Sequence, residues 1–137
     1  MQKQSIQAER ISRNNIETIM AYRDVFGRPL GELLQMDCRN ASDPYILSKD
    51  LERFIKDLHR HQFIHDMDVE TWSEEAVKYE NDPGLLKEAS LVDLINLFSY
   101  HIKKIEIDED HIFDFISSSV IRFALNRLRS IHREKFS

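Results

Sequence analysis

Residues Ser90–Ile105 read "SLVDLINLFSYHIKKI", and this stretch decides the fold. Ser90 followed three positions later by Asp93 has capping-box spacing, in which each side chain satisfies a backbone N–H left unpaired by the first helical turn. Behind this start, Leu91, Leu94, Ile95, Leu97, Phe98, Ile102 and Ile105 cover more of the helix circumference than a single neighbour would bury. A helix that is apolar on several sides must be packed on several sides. The pattern therefore predicts a central helix with the rest of the chain wrapped around it. His101, seven residues after Leu94, borders the apolar stripe and is expected to be a core-edge histidine with one satisfied hydrogen bond.

Outward from this helix the same period continues. Asp108-Glu-Asp110 places negative charge where a helix N-terminus favours it, and Ile112, Phe113, Phe115, Ile116, Val120, Ile121, Phe123, Ala124, Leu125, Leu128 and Ile131 carry a helical pattern towards the C-terminus. Ser117-Ser-Ser119 lies inside that run as a kink or a second N-cap, because serine hydroxyls compete for backbone hydrogen bonds. Upstream, Ser48 is a good N-cap for a helix whose stripe is Leu51, Phe54, Ile55, Leu58 and Gln62. Thr71-Trp-Ser-Glu74 has capping-box spacing for a further helix that carries Val69, Trp72, Ala76 and Tyr79 on its apolar face and stops at Asn81-Asp-Pro-Gly84. Ser5–Phe26 reads as helical with residues 1–10 frayed, and Gly27, Pro29 and Gly31 punctuate the segment before the apolar cluster Leu30, Leu33, Leu34 and Met36 and the polar loop 39–44.

The expected fold class is all-α: a single compact domain of five or six helices over residues 1–137. The helices starting near Ser90 and Asp110 lie at its centre, and the Ser48 helix packs across them. At 137 residues the chain has the size of one domain with one core. Only three Gly and three Pro are present, too few turn formers for a strongly bent β architecture. The apolar runs fall well short of a membrane span, and the first ten residues lack the apolar core of a signal peptide, so a cytoplasmic location is expected. The lone Cys38 has no partner for an internal disulfide and no neighbouring base that would activate it as a nucleophile.

The formal charge of −5 is unevenly spread. Between Asp66 and Asp110 acids far outnumber the basic residues Lys78, Lys87, Lys103 and Lys104, whereas Arg122, Arg127, Arg129, Arg133 and Lys135 dominate the last segment. Three site readings follow. Clustered acids on a rigid helix, with Glu74, Glu75 and Asp82 as the partner-binding residues, imitate a phosphate backbone and suit a basic groove on another protein, in the manner of inhibitors from phages or mobile elements. Alternatively, His61 and His65 at i and i+4, with Asp68 extending the face, form a two-histidine, one-carboxylate set for a divalent metal in an enzyme or sensor. His59 lies roughly 200° around a helix from His61 and cannot join them. Finally, Arg122, Arg129 and Arg133 offer a row of phosphate contacts for nucleic acid on the basic C-terminal helix. No phosphate-binding loop, dinucleotide fingerprint, nucleophile elbow or zincin motif occurs, so no catalytic residue and no cofactor is assigned. Exposed aromatics are compatible with a homodimer.

The segment "DPYILSKDLERFIKDLHRHQFIHDMDVETW", followed by "NDPGLLKEASLVDLINLFSYHIKKIEIDEDHIFDFISSSVIRFALNRL", resembles a family of small bacterial domains of unknown function, number 6508, over roughly residues 43–128. The resemblance rests on Pro44-Tyr45, Phe63-Ile64, Trp72, Asp82-Pro83, Leu85-Leu86, Ala89-Ser90 and Ile121…Leu125…Leu128. These are apolar and turn residues. The resemblance therefore implies a small, mainly helical domain and carries no activity. The preferred expectation is a non-enzymatic protein-interaction or regulatory module of a bacterial mobile element or of phage defence and counter-defence.

Overall fold

A computed structural model of the protein describes residues 11–36 and 45–136. Within them the helices are α1 (Arg13–Met20), α2 (Leu30–Leu33), α3 (Lys49–Arg60), α4 (Val69–Asn81), α5 (Leu91–Ile107), α6 (His111–Ser117) and α7 (Val120–Phe136). Tighter 3-10 turns cover Ala21–Arg23, Val25–Gly27 and Pro83–Glu88. All but α2 run for at least seven residues, so the described residues contain six substantial helices, within the expected five or six. The frayed N-terminus, Cys38, the polar loop and Pro44 lie outside the described residues.

α5 forms because both bonds of its capping box are made: the Ser90 hydroxyl accepts from the Asp93 N–H at 3.1 Å, and the Asp93 carboxylate accepts from the Ser90 N–H at 3.0 Å. Every residue from Leu94 to Ile102 is buried, as expected of a helix packed on several sides. One continuous apolar core, running in sequence from Ile11 to Ile131, surrounds it. α4 lies along α5, and α7 packs on α1 and on the Pro83–Glu88 turn. α3 reaches α5 through aromatic edges: Phe54 meets Tyr22, Phe26 and Phe98, and Phe98 meets Phe63, with ring centroids 4.8–6.1 Å apart. Such edge-to-face pairs contribute about 0.5–1.5 kcal/mol each beyond simple area burial.

Several boundaries carry their own chemistry. Ser48 caps α3 as expected, with its hydroxyl accepting from the Leu51 N–H. α3 ends in a Schellman motif: Phe63 N–H donates to Leu58 O, Gln62 N–H donates to His59 O, and Gln62 adopts φ 67. Gln62 therefore leaves the apolar stripe to turn the chain, while the fully buried Leu58 and Phe63 supply the apolar pair that accompanies this motif. α4 starts earlier than the Thr71 capping box implied. Asp68 is its N-cap, accepting from the Glu70 N–H and the Thr71 hydroxyl, because a carboxylate with extended backbone satisfies the first turn three residues sooner. At the serine run the helix breaks: Ser118 is extended, and its hydroxyl accepts from the Val120 N–H, so it serves as the second N-cap.

The apolar cluster after Gly31 yields one departure from an all-helical chain. Leu34–Met36 (β1) pairs antiparallel with Tyr45–Leu47 (β2), Gln35 lying opposite Ile46, and Ser48 N–H extends the ladder to Leu33 O. Three residues are too few to show a period of two, which is why the pattern reads as loop.

A non-glycine residue in the left-handed region costs energy that a β-branched side chain raises further. Gln62→Val is therefore expected to lower the unfolding free energy by about 1–2 kcal/mol in urea titration, with Gln62→Gly showing no such loss.

Candidate functional site

A cleft of about 460 Å³ opens where α4, α5 and α6 meet. α4 contributes Glu80; α5 contributes Tyr100, His101 and Lys104; α6 contributes His111, Asp114 and Ser117, and Ser118 closes the end. The tight turn after Ile107 makes this meeting possible. Asp108 accepts from the Asp110 N–H there, so α6 folds back along the last turns of α5.

His101 is 2% exposed and His111 is 7% exposed. His101 Nδ1 and His111 Nε2 lie 2.8 Å apart, and the rings are 10° from parallel with centroids 5.1 Å apart, the geometry of two imidazoles meeting edge to edge in a common plane. The face of His101 stacks on Phe115 at 4.8 Å, and the Tyr100 ring stands edge-on to it. One proton serves the short N···N contact, so one nitrogen donates and the other accepts. An Asp114 carboxylate oxygen lies 3.9 Å from His111 Nδ1, beyond hydrogen-bond length. The second ring nitrogen of His101 is Nε2. That nitrogen is buried and has no hydrogen-bond partner among the described residues.

Burial, and then the charge that His111 could carry, push His101 down to about 3. Burial also lowers His111, against the opposing pull of Asp114. Glu80 is raised by burial and by Asp114, with Lys104 acting the other way, and Tyr100 is raised by burial and by Glu80. The cleft is thus a polar chamber with two carboxylates, one ammonium and a neutral histidine pair.

The residues singled out in the sequence fall elsewhere. His61 ends α3, with Nδ1 on the Asn15 side-chain oxygen at 2.8 Å. His65 faces Asp66 O with Nδ1 and the Asn96 side-chain oxygen with Nε2, at 2.8 and 2.7 Å. Asp68 is occupied as the α4 cap. The structure does not bring His61, His65 and Asp68 together, and no group of three or more potential metal ligands is assembled among the described residues. Glu74, Glu75 and Asp82 are exposed on α4 and at its end, with Glu75 3.8 Å from Lys78. Arg129 on α7 feels the charges of Arg133 on the same helix and of Arg23 in the Ala21–Arg23 turn, whereas Arg122 lines a separate cavity beside Arg28. The sequence placed His101 at the core edge but did not reveal its pairing with His111. The apolar setting of His101 was the available signal, but its partner lies across a turn whose path no spacing rule gives.

The pH response follows from the neutral pair. Below about pH 6.5 an unfolded chain protonates at His101, whereas the folded chain resists until far lower, so stability is complete above that value and is lost as pH falls towards the folded value. Urea unfolding should show a decline approaching 1.4 kcal/mol per pH unit from this residue between about pH 6 and 4.5, and His101→Gln should flatten it.

No curated protein and no solved structure matches the chain. The family model described as "Family of unknown function (DUF6508)" matches residues 15–134, which takes in most of α1 and nearly all of α7 and so exceeds the 43–128 segment where the resemblance is legible. That span holds the capped central helix and the folded-back α6. The chain belongs to this family, DUF6508.

Proposed function

We propose that the protein is a non-enzymatic interaction module of the bacterial cytoplasm that recognises a basic protein surface through the outer face of α4. The observation that supports this reading is a mixed stripe. Glu70, Glu74, Val77 and Asn81 follow one another at intervals of four, three and four, and all are exposed, with Val77 48% exposed. Asp82 and the 42% exposed Leu85 extend the same composition into the turn. The opposite side of α4, with Ala76 and Tyr79 buried and Trp72 stacked on Tyr79 and tilted against Tyr100, holds the helix against α5. Apolar groups within a carboxylate rim suit a partner that offers lysines or arginines around an apolar centre, where charge sets encounter rate and the apolar contact sets lifetime. Setting the protein on a mobile element or in phage defence is part of this proposal.

A partner captured through a photo-cross-linker placed at Val77 should bind about tenfold more weakly to the triple variant Glu74→Gln, Glu75→Gln, Asp82→Asn, and its association should slow in high salt. Equal affinity of the two proteins would refute the acidic face as the recognition element.

One observation supports a second reading, polyanion binding. The Arg129 guanidinium is held below its ordinary value by the like charges of Arg133 and Arg23, and neither Arg129 nor Arg133 has an ion-pairing carboxylate among the described residues. Three guanidiniums gathered in this way match a phosphate backbone. Salt-dependent retardation of duplex DNA that disappears in Arg129→Glu, Arg133→Glu is the expected result on this reading, and no retardation at low salt would exclude it.

A further inference from the structure

Resting on the proposal that the outer face of α4 recognises a basic protein surface, we infer that this surface is the outer face of α3 on a second copy of the chain. Lys49, Arg53, Lys56 and Arg60 follow one another on α3 at intervals of four, three and four, and all are exposed. At about 100° per residue these intervals keep them within about 60° of arc, in a straight row roughly 16 Å long. The row borders a shallow hollow of about 510 Å³ that Glu52 and Asp57 also line. Asp57 is already engaged, accepting from the Tyr22 hydroxyl at 2.6 Å. Arg53 lies 3.8 Å from Asp50, whereas Lys49, Lys56 and Arg60 have no ion-pairing carboxylate among the described residues. The face is therefore a set of cations without counter-charges.

The stripe on α4 is its complement in charge and in step. Glu70, Glu74, Val77 and Asn81 repeat the intervals of four, three and four, so the two rows have equal length. Antiparallel alignment sets Glu70 against Arg60, Glu74 against Lys56, and the 48% exposed Val77 against the aliphatic stem of Arg53. A parallel alignment would carry both glutamates to the end of α3 that holds Asp50 and Glu52, so charge selects the antiparallel one, which the helix dipoles also favour. Lys78, the cation of α4 beside the stripe, is occupied by Glu75 at 3.8 Å. α7 is the weaker counterpart. Arg122, Asn126, Arg129 and Arg133 have the same spacing, but only three are cations, Asn126 is held by Arg23 at 2.8 Å, and Arg129 is half-buried. Each copy carries a formal charge of −5, but salt screens exposed charges beyond about 8 Å at physiological strength, so the facing rows outweigh the repulsion of the whole chains.

The test is analytical ultracentrifugation of the purified full chain over a concentration series at low and at high salt. Self-association that weakens as salt rises is the expected result. The variant Lys56→Glu, Arg60→Glu and the variant Glu70→Lys, Glu74→Lys should each associate about tenfold more weakly. Mixing the two should restore association, because each then offers the face that the other lacks. All four positions are exposed, so both variants should keep the helical circular dichroism of the parent. A chain that stays monomeric at low salt would overturn the inference and leave the α4 face to a different basic protein. Association unchanged in Lys56→Glu, Arg60→Glu, or lost instead in Arg129→Glu, Arg133→Glu, would overturn it by moving the contact off α3. Association unchanged in Glu70→Lys, Glu74→Lys would remove α4 from the contact, and reversed variants that stay apart when mixed would show that the two rows do not face each other.

Discussion

The structure depends on a constraint imposed by α5: a helix enclosed on all sides has no solvent for its polar side chains. Leaving any of them without a partner would cost on the order of 1–3 kcal/mol each. Asn96, Ser99 and His101 are all buried in α5, and each makes a hydrogen bond to a neighbouring segment. Asn96 holds the His65 ring, and the Ser99 hydroxyl accepts from the His65 N–H and donates to Phe63 O. His101 meets His111. The polar positions on the central helix therefore fix two of the connections that pack around it. Residues 63–65, irregular in sequence, are tied in place by hydrogen bonds from α5, and α6 is drawn down onto α5 by the imidazole pair.

Much of this architecture was legible because helix starts are local events. Ser48 and Ser90 each needed only the residues within one turn to act as caps, and both do so. The breadth of the apolar pattern from Leu91 to Ile105 likewise announced a central helix. Where the sequence misled, local signals competed. Asp68 and Thr71 are both able to cap α4, and the choice went to the one whose backbone was already extended by the turn after α3. Gln62 occupies the right position for the apolar stripe, yet the Schellman turn requires a left-handed residue there and takes it. The candidate site was illegible for a different reason. The histidine cluster at His59, His61 and His65 is dense in sequence, but the Schellman turn sends its members to different neighbours. His101 and His111 are separated by a complete reversal of the chain and come into contact through it.

The charge imbalance noted in the sequence becomes spatial separation in the fold. Glu70, Glu74 and Glu75 of α4 are exposed on a helix whose inner side is held by Trp72, Ala76 and Tyr79, whereas Glu80 lines the cleft near Lys104. Near the C-terminus, Arg127 is drawn to Ala89 O and Glu134, and His132 pairs with Glu17, which ties α7 to the turn before α5 and to α1. Arg129 and Arg133 are left out of these ties. What distinguishes the two charged regions is thus the set of residues already committed to holding helices together.

The interruption at Ser118 sets a limit on how the interior can be reshaped. Ser117 and Ser118 line the histidine cleft and also a second cavity of about 190 Å³ bounded by Phe26, Leu30, Leu33 and Ile116. The same two serines thus border two chambers, one carrying carboxylates and histidines and the other Arg28 and Arg122 among apolar side chains. Were α6 wound on through Ser118 into α7, the hydroxyl that caps Val120 would be withdrawn and both chambers would lose their common wall. A displacement of Ser117 and Ser118 would therefore change the lining of both spaces at once.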